Sequence, residues 1–375
     1  MADSFLRRSN IHKERNSLLW RMHLDAPLLL GLFVLIVYGL LVLYSASGQD
    51  FAFVQRQLIR LGIAFVAMFC MAQVPPRTLL KWAVPMYLFG LLLLLAVLIF
   101  GEVSKGAQRW LNVGVRFQPS EIMKLALPMM VAWYFNQHKL PPRKRELVTA
   151  LIIIAIPTLL IAKQPDLGTS LIVASSGLFV IFLAGISWVI ILVAILAVIA
   201  FIPILWEFFM LPYQKQRVMT LLSPGSDPLG ADYHINQSKI AIGSGGIYGK
   251  GWLNGTQSQL EFLPERKTDF IFAVLSEEFG LMGVAILLCI YLFIFIQGLY
   301  ISVKAQDVFS RLLSASIILT LFVYVFVNIG MVSGLLPVVG LPLPLVSYGG
   351  TSMVTIMAGL GILMSVQTHR RLLPA

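Results

Sequence analysis

Long stretches without any charged residue alternate with short clusters of charge along this chain. The first stretch is the 24 residues between Asp25 and Asp50, enough for one membrane-spanning helix of about 20 residues. Further uncharged runs each follow a charged cluster and cover 61–76, 82–101, 125–138 and 147–162. This pattern predicts five membrane-spanning helices in the first half of the chain.

Two uncharged intervals in the second half are too long for one span. Residues 167–206 include 40 uncharged positions and residues 312–368 include 57, whereas a helix that rises about 1.5 Å per residue crosses a bilayer core in about 20. We expect the first interval to fold back at Gly185-Ile186-Ser187. The Gly/Pro-rich stretch 334–350 divides the second interval into two spans.

One more span covers 279–303 and is expected to begin near Thr268. The predicted fold is therefore an all-α polytopic membrane protein with about ten transmembrane helices. Residues 1–375 would form a single membrane domain, and an even number of spans places both termini on one side.

Short basic loops set the orientation of such a chain, because Lys and Arg are enriched on the cytoplasmic side. Basic clusters before the first span and after the fourth put both termini in the cytoplasm. Residues 1–24 would be a cytoplasmic tail, and the first span a retained anchor, since the N-terminus is too polar for a signal peptide. Residues 212–268 would form a long outer loop between helices 7 and 8.

Composition narrows the class of protein. With 58% apolar and 12% charged residues, the chain is not an ordinary soluble globule. The formal charge of +11 favours lipid-linked phosphate over nucleic acid in so apolar a chain. Cys70 and Cys289 lie in apolar runs, which supports neither a disulfide framework nor a thiolate metal site. Ser-x-x-Lys and His-Glu-x-x-His motifs are both missing, which argues against a penicillin-type acyltransferase and a zinc protease.

Glycine and lysine are concentrated in part of the long outer loop, at 238–251. Glycine would let backbone N–H groups approach a phosphate while Lys239 and Lys250 supply charge. The alternative is a turn that needs positive φ, and the spacing does not decide between them. The pattern does not match a nucleotide P-loop, since no Ser or Thr follows Lys250.

Polar residues also gather at the outer ends of spans four and six. Glu121 and Lys124 stand at i and i+3 after a Pro119-Ser120 helix start, so they share one helix face, although an ordinary surface pair would look the same. Asp166 lies on the same predicted side. The irregular stretch 334–350 predicts a re-entrant segment that closes a cavity, since such backbone needs protein or water to satisfy it at membrane depth.

Three acidic residues flank or enter span eight. Thr268 is a candidate N-cap, which would place Asp269 in the first helical turn, either as a functional acid or as a partner of the helix dipole. Glu277 and Glu278 lie inside the span, where an acid is either functional or part of a buried brace between helices.

Six segments together resemble the SEDS family (shape, elongation, division and sporulation) of bacterial cell-wall polymerases. They are KGAQRW, RFQPSE, QPDLGT, SKIAIGSGGIYGKGW, FLPERKTDFIFA and GLPLPLVSYGG. Their order and spacing are family-like from about residue 25 to 371, and SASGQD and GTQSQLEFLPER resemble the rod-shape branch. Lys267 is a departure, because the family pattern has His there.

The resemblance implies a peptidoglycan glycosyltransferase that polymerises lipid II on the outer face of the cytoplasmic (inner) membrane during cell elongation. It implies a class B penicillin-binding transpeptidase and other elongation-machinery membrane proteins as partners. A divalent cation, Mg or Mn, is implied without an organic cofactor, and the family's catalytic acid falls on Asp269. The candidate substrate-binding residues are Lys105, Arg109, Arg116, Glu121, Lys124, Asp166, Arg217, Lys239 and Lys250.

The chemistry of such a reaction agrees with these residue types. The sugar of lipid II is α-linked to pyrophosphate and the product bond is β, so one inverting displacement with one base suffices. The leaving pyrophosphate needs positive charge rather than an acid. Two other functions remain open. A lipid II flippase would use the same cavity, charges and irregular backbone, and a non-enzymatic scaffold would use the helices alone to recruit a transpeptidase.

Overall fold

The protein was analysed as a computed structural model that describes residues 21–104, 107–112, 116–210, 214–215, 218–219, 231–260, 262–263 and 265–369. In these ranges it consists of helices and one small sheet. The helices of the first half are α1 (Ala26–Ala46), α2 (Phe51–Gln73), α3 (Pro76–Phe100), α4 (Pro119–Asn136), α5 (Lys144–Lys163), α6 (Leu167–Leu183) and α7 (Trp188–Ile204), which continues as a π-helix over Leu205–Phe209. The second half has α8 (Ala231–Gly245), α9 (Thr256–Gln259), α10 (Ile271–Val303), α11 (Val308–Val332) and α12 (Thr351–Thr368).

Eight of these helices are long and apolar enough to cross a membrane, namely α1, α2, α3, α5, α7, α10, α11 and α12. Helix α6 is apolar but shorter, with 17 residues, and α4 carries Glu121 and Lys124 among its 18. The chain is therefore a multi-pass membrane protein. The count of ten spans and the sidedness stay predictions.

The interruptions lie where the charge-free intervals placed them. Helix α6 ends at Leu183 and α7 begins at Trp188, with Gly185 at φ +96° in the turn between them. Helices α11 and α12 are separated by irregular backbone that includes residues 334–350. This 334–350 segment is the centre of the site described below.

Helices α11 and α12 form the interior of the bundle, since most of their residues are buried. Helix α11 packs against α4, α6 and α10, and α12 packs mainly against α2. Small polar residues allow this close approach, as where Ser316 Oγ of α11 donates to Ser176 O of α6 at 2.6 Å. By contrast, none of the described side chains of α7 is buried.

Helix α10 is broken at Gly280, whose φ of +62° and ψ of −161° are not helical. The backbone groups freed by the break pair with the turn after α8. Lys250 N donates to Glu277 O at 3.0 Å and Gly251 N to Glu278 O at 3.0 Å, while Leu281 N donates to Gly246 O at 2.9 Å. Irregular backbone in a membrane helix is thereby satisfied by protein.

A three-stranded antiparallel sheet connects α3 to α4 and comprises β1 (Glu102–Ser104), β2 (Ala107–Asn112) and β3 (Arg116–Phe117), in the order β1-β2-β3. The sheet lies at the end of the bundle where α1 ends and α2 begins. Asp269 lies at the same end, which we call the Asp269 end.

Candidate active site

The 334–350 segment is held by side chains from three helices. Tyr291 Oη of α10 donates to Pro344 O at 2.6 Å, and Gln57 Nε2 of α2 donates to Ser347 O at 3.1 Å. Asn328 Nδ2 of α11 donates to Leu341 O at 2.7 Å. These contacts satisfy carbonyl groups that neither a helix nor a strand satisfies.

The turn before α10 runs alongside this segment. Tyr348 N donates to Lys267 O at 2.8 Å, and Ser347 Oγ donates to Thr268 O at 2.6 Å. Asn328 Nδ2, which holds Leu341, also donates to Asp269 O at 3.0 Å. Three consecutive carbonyl groups, ending at Asp269, are therefore fixed in place by the end of α11 and the 334–350 segment.

Asp269 itself is half-buried, and its carboxylate faces Gly340. A Cβ placed on Gly340, which has φ +74°, would lie 3.5 Å from Asp269 Oδ2. The sequence prediction of the helix start was wrong by two residues, because the N-cap of α10 is Phe270 instead of Thr268 and the helix begins at Ile271. Thr268 Oγ1 donates to Glu265 Oε2 at 2.8 Å instead of capping the helix. Asp269 is thus in the preceding turn, outside the helical first turn.

Four of the predicted substrate-binding residues meet between α4, α6 and β2, namely Arg109, Glu121, Lys124 and Asp166. Together with Gln118 and Tyr324, they form a group that we call the Lys124 cluster. Lys124 Nζ lies 2.7 Å from Glu121 Oε1 and 5.3 Å from the centre of the Tyr324 ring. Arg109 Nη1 lies 3.6 Å from Asp166 Oδ2, which also accepts from Gln118 Nε2 at 3.2 Å.

Asp166 is the N-cap of α6, because its Oδ1 accepts from Thr169 N at 3.2 Å. This position presents Oδ2 to α4 and β2. Glu121 and Lys124 are both buried, and within the described part of the chain the buried atoms Glu121 Oε2 and Arg109 Nε have no hydrogen-bond partner. Unsatisfied buried polar atoms are rare in proteins and are candidates for ligand contacts.

Helix α11 links the Lys124 cluster to Asp269. Tyr324 faces Lys124, and Asn328, which holds the Asp269 carbonyl, is one turn further along the same face. The axial separation of residues i and i+4 is about 6 Å. The first turn of α6 also touches the 334–350 segment, since a Cβ on Gly168 would lie 2.8 Å from Val339 O.

Helix α8 brings Lys239 to the start of the 334–350 segment. Ser238 Oγ donates to Val332 O at 2.7 Å, and a Cβ on Gly334 would overlap the Lys239 side chain. His234, one helical turn and a half earlier, stacks on Phe270 with ring centres 6.0 Å apart. Lys239 and Asp269 therefore both lie against the 334–350 segment, at its beginning and its middle.

Of the two interpretations left open for residues 238–251, the structure shows the turn that needs positive φ, since Gly246, Gly249 and Gly251 have φ of +55°, +78° and +96°. Residues up to Gly245 are helical, and two of the glycines mark close contacts with the α10 backbone. Cβ atoms on Gly245 and Gly249 would overlap the carbonyl oxygens of Ser276 and Glu278 in α10.

Lys250 is part of a buried brace. Its Nζ lies 2.8 Å from Glu277 Oε1, and the same carboxylate accepts from Thr256 Oγ1, Gln257 N and Ser258 N at 3.1, 2.9 and 3.2 Å. Glu277 is fully buried, so it holds the first turn of α9 onto α10. Glu278 is also buried and accepts a hydrogen bond from Ser45 Oγ of α1. Of the two interpretations left open for these acids, the structure shows the brace.

The remaining candidates lie elsewhere. Arg116 is exposed and its Nε lies 3.4 Å from Glu102 Oε2 at the sheet. Lys105 and Arg217 are outside the described residues. No group of three or more His, Cys, Asp or Glu side chains that could hold a metal ion occurs in the described part of the chain.

Sequence reasoning missed the residues that organise the site. Asn328 and Tyr324 were hidden in an uncharged span, where they looked like ordinary helix positions. The available signal was that Asn328 is a strong hydrogen-bonding side chain in a membrane helix, where such groups are costly unless they have partners.

Comparison with known proteins adds relatives of the whole chain. Residues 22–372 match the family model FtsW/RodA/SpoVE, described as cell cycle protein. Escherichia coli K12 peptidoglycan glycosyltransferase MrdB is 59% identical over 354 residues, covering 94% of this chain and 96% of the relative. Bacillus subtilis stage V sporulation protein E is 34% identical over 361 residues, covering 92% and 98%.

Two solved structures share the fold. A chain of a peptidoglycan synthase complex, in a study of how polymerization and crosslinking are coordinated, superposes with a TM-score of 0.80 at 31% identity. The match covers 92% of this chain and 97% of that one. The rod shape determining protein RodA of Thermus thermophilus gives a TM-score of 0.69 at 28% identity, covering 92% and 96%.

Proposed function

This chain belongs to the FtsW/RodA/SpoVE family of cell cycle proteins, and we propose from that premise that it is a peptidoglycan glycosyltransferase. It would polymerise lipid II into glycan strands during cell elongation. The similarity to MrdB supports the activity, and one observation of the site carries the assignment to chemistry. Asp269 is a half-buried carboxylate on backbone that Asn328 and Ser347 hold fixed.

The proposed reaction is one inverting displacement at the sugar C1 of a lipid-linked donor. The acceptor hydroxyl loses its proton to the Asp269 carboxylate while its oxygen bonds to C1. The bond between C1 and the pyrophosphate oxygen breaks, and the pyrophosphate leaves with the electron pair. No second carboxylate is needed as acid, because pyrophosphate is already a good leaving group when its charge is balanced.

The Lys124 cluster and Lys239 are placed to balance that charge. Arg109 and Lys124 face Asp166 and Glu121, so the four side chains have no net charge. Lys239 adds a positive charge at the start of the 334–350 segment, where its side chain contacts Gly334. Because the cations of this cluster are already paired, Lys239 or a metal ion would be required to balance the charge of a leaving pyrophosphate near it.

The carboxylates present fit a divalent cation, Mg or Mn, that shares its ligands with substrate. Magnesium is commonly held by one or two carboxylates together with substrate phosphates. Glu121 Oε2, buried and without a partner among the described residues, and Asp166 are the residues that would hold it. When bound, the cation would neutralise charge on the pyrophosphate.

We also propose the setting and partners of this reaction. The Asp269 end would face outward from the cytoplasmic membrane, with both termini inside. A class B penicillin-binding transpeptidase would bind the chain together with other membrane proteins of the elongation machinery. The similarity to a chain of a peptidoglycan synthase complex supports a crosslinking partner. Its binding would help to hold the turn that carries Asp269 in a reactive geometry.

The direct test is synthesis of glycan strands from purified lipid II by the purified protein. We expect polymer from the protein alone, and faster synthesis after a cognate class B transpeptidase is added. Transbilayer movement of lipid II without polymer would favour the flippase function. If glycan strands form only when a second polymerase is present, the result would favour the scaffold function.

A further inference from the structure

Three cations at the Asp269 end are stacked on aromatic rings in a group that we call the α2 cation patch: Arg56, Arg60 and Lys267, with Phe53 and Tyr348. The Arg56 guanidinium lies 4.5 Å from the centre of the Phe53 ring, and Lys267 Nζ lies 3.8 Å from the same ring. The Arg60 guanidinium lies 4.3 Å from the centre of the Tyr348 ring. The two rings contact each other edge to face, with centres 5.4 Å apart.

These cations are not neutralised by acids. Among the described residues, the side chains of Arg56, Arg60 and Lys267 have no carboxylate within 4 Å, in contrast to Arg109, Lys124 and Lys250. Arg56 Nε donates to Ala52 O at 3.1 Å. Stacking on a ring occupies the face of a guanidinium and leaves its terminal N–H groups available to an anion. The patch therefore has three positive charges and free hydrogen-bond donors.

The position of Arg60 within the candidate span of α2 argues against a simple surface anchor. Arg60 is the tenth residue of α2, about 13 Å along the axis from Phe51. Its neighbours Leu58 and Ile59 are exposed apolar residues on the surface of the bundle, whereas Arg60 is half-buried against Tyr348. An arginine inside a span without a carboxylate partner is a functional candidate.

The patch, Asp269 and Lys239 contact different parts of the 334–350 segment. Lys239 contacts Gly334 at the start, Asp269 faces Gly340 in the middle, and Arg60 stacks on Tyr348 near the end. Lys267 is two residues before Asp269, and its carbonyl accepts from Tyr348 N at 2.8 Å. The candidate base thus contacts the same segment as two separate cationic groups.

The proposed polymerisation involves two lipid-linked pyrophosphates at once. One leaves with the electron pair of its bond to C1, and the other stays on the acceptor and keeps the same charge throughout. The first gains negative charge in the transition state and suits the Lys124 cluster, with its two carboxylates for a metal ion. The second needs only a fixed positive site.

We propose that the α2 cation patch binds the retained pyrophosphate of the acceptor lipid, and this inference rests on the proposed function. The acceptor hydroxyl would then reach Asp269 from the α2 side, while the donor approaches from the side of α4, α6 and α8. The ligand that fits the patch is a headgroup at membrane depth with two or more negative charges. Stacked arginines would bind such a headgroup through their terminal N–H groups.

The experiment counts bound lipid II by native mass spectrometry in an Asp269→Asn background, which blocks turnover. We expect two lipid II molecules per protein in that background and one after adding Arg56→Gln and Arg60→Gln. Arg311→Gln, which removes a charge from α11 at the opposite end, is the matched control and should keep two. In protein with Asp269 intact, the Arg56→Gln/Arg60→Gln pair should raise the half-saturating lipid II concentration about tenfold or more.

Folding and lipid controls keep the outcomes separate. Arg60→Lys, which keeps the charge, should retain measurable second-site binding, and Arg56→Gln alone serves if the double variant is not monodisperse, since Arg56 is exposed. Two lipid II molecules bound to the double variant would overturn the inference. The inference would also be overturned if the double variant lost bound phosphatidylglycerol but kept both lipid II molecules. That result would identify the patch as a phospholipid site. Failure of unmodified protein to make any polymer would instead overturn the proposed function.

Discussion

Asn328 is the residue on which the geometry of the candidate base depends most. One amide group donates at 3.0 Å to Asp269 O and at 2.7 Å to Leu341 O, and so joins the turn before α10 to the 334–350 segment. The residue touches no reacting atom in the proposed mechanism. It is a positioning residue whose loss should affect the rate of the bound complex.

We predict that Asn328→Ala lowers kcat about tenfold or more while changing the half-saturating lipid II concentration little, because misplacement of a base costs rate more than binding. Steady-state polymerisation by the purified variant measures both constants. Asn112→Ala removes an exposed amide from the sheet and should leave both unchanged. A rise in half-saturation with normal kcat would show that Asn328 acts on substrate binding.

Lys239 gives a second prediction at this scale. Its side chain packs on Gly334, in the same 334–350 segment that Asp269 faces at Gly340. Lys239→Ala should raise the half-saturating lipid II concentration about tenfold, since a charged hydrogen bond to pyrophosphate would be lost. Lys304→Ala, which removes an exposed lysine at the opposite end, is the control. Normal kinetics for Lys239→Ala would remove it from the pyrophosphate site.

Individual residues were predicted best where a local rule applied. Glu121 and Lys124 were expected to share a helix face and do form an ion pair at 2.7 Å. Arg109 and Asp166 were both named, but their contact joins residues 57 positions apart (166 minus 109) and has no local signature. Lys250 was assigned to substrate because the sequence does not show that Glu277 lies beside it.

At the scale of secondary-structure elements, the buried carboxylate of Glu277 holds helix α9 against the broken helix α10. Glu277 is fully buried and accepts hydrogen bonds from Lys250, Thr256 and two backbone N–H groups of α9. Removal of one partner from a buried ion pair leaves the other charge uncompensated, at a cost of roughly 3–5 kcal/mol. The side chain of Lys250 is 27% exposed, so water screens the pair. The loss of unfolding free energy should therefore lie at or below the lower end of this range.

We predict that Lys250→Gln and Glu277→Gln each lower the thermal unfolding temperature in detergent, and that the double variant loses less than the sum. A double-mutant cycle on unfolding measures this coupling. Arg116→Gln breaks an exposed contact with Glu102 and should barely change the temperature. Weakened lipid II binding by Lys250→Gln at unchanged stability would support the substrate role that the sequence suggested.

Elements whose bounds follow from the length of an uncharged stretch were predictable from the sequence. Elements whose bounds depend on packing against other helices were not. The fold-back at Gly185 and the division of the last interval follow from helix length alone. Helix α8 was expected to be a loop because its glycines suggest flexibility, but Gly245 permits contact with the α10 backbone. The start of α10 was misplaced because Thr268 bonds to Glu265 and the 334–350 segment holds the turn.

At the scale of the whole molecule, the candidate substrate contacts that the structure describes lie at one end of the bundle. The Lys124 cluster, Lys239, Asp269 and the α2 cation patch all lie at the Asp269 end, and three of them adjoin the 334–350 segment. A transporter that moves lipid II across the membrane would need contacts along the full path. The one-sided arrangement fits chemistry at one membrane face.

We predict ten spans with the Asp269 end outside. Reporter fusions after Arg371 and near Gly230 should report opposite sides of the membrane, with Arg371 in the cytoplasm. The physical reason is the basic clusters in the predicted inner loops, which set orientation. Fusions that report the same side would contradict the predicted topology and would place the Asp269 end in the cytoplasm or require an odd number of spans.

The central claim is that Asp269 accepts the proton of the acceptor hydroxyl, and Asp269→Asn tests it most directly. Asn has nearly the same size but cannot serve as the base, and loss of a general base typically costs about 10² to 10⁴ in rate. The matched control is Asp307→Asn, at the N-cap of α11, where Asn also caps a helix. Polymerisation of lipid II by the purified variants is the measurement. We expect Asp307→Asn to polymerise normally and Asp269→Asn to bind lipid II yet make almost no glycan, whereas substantial polymerisation by Asp269→Asn would contradict the account.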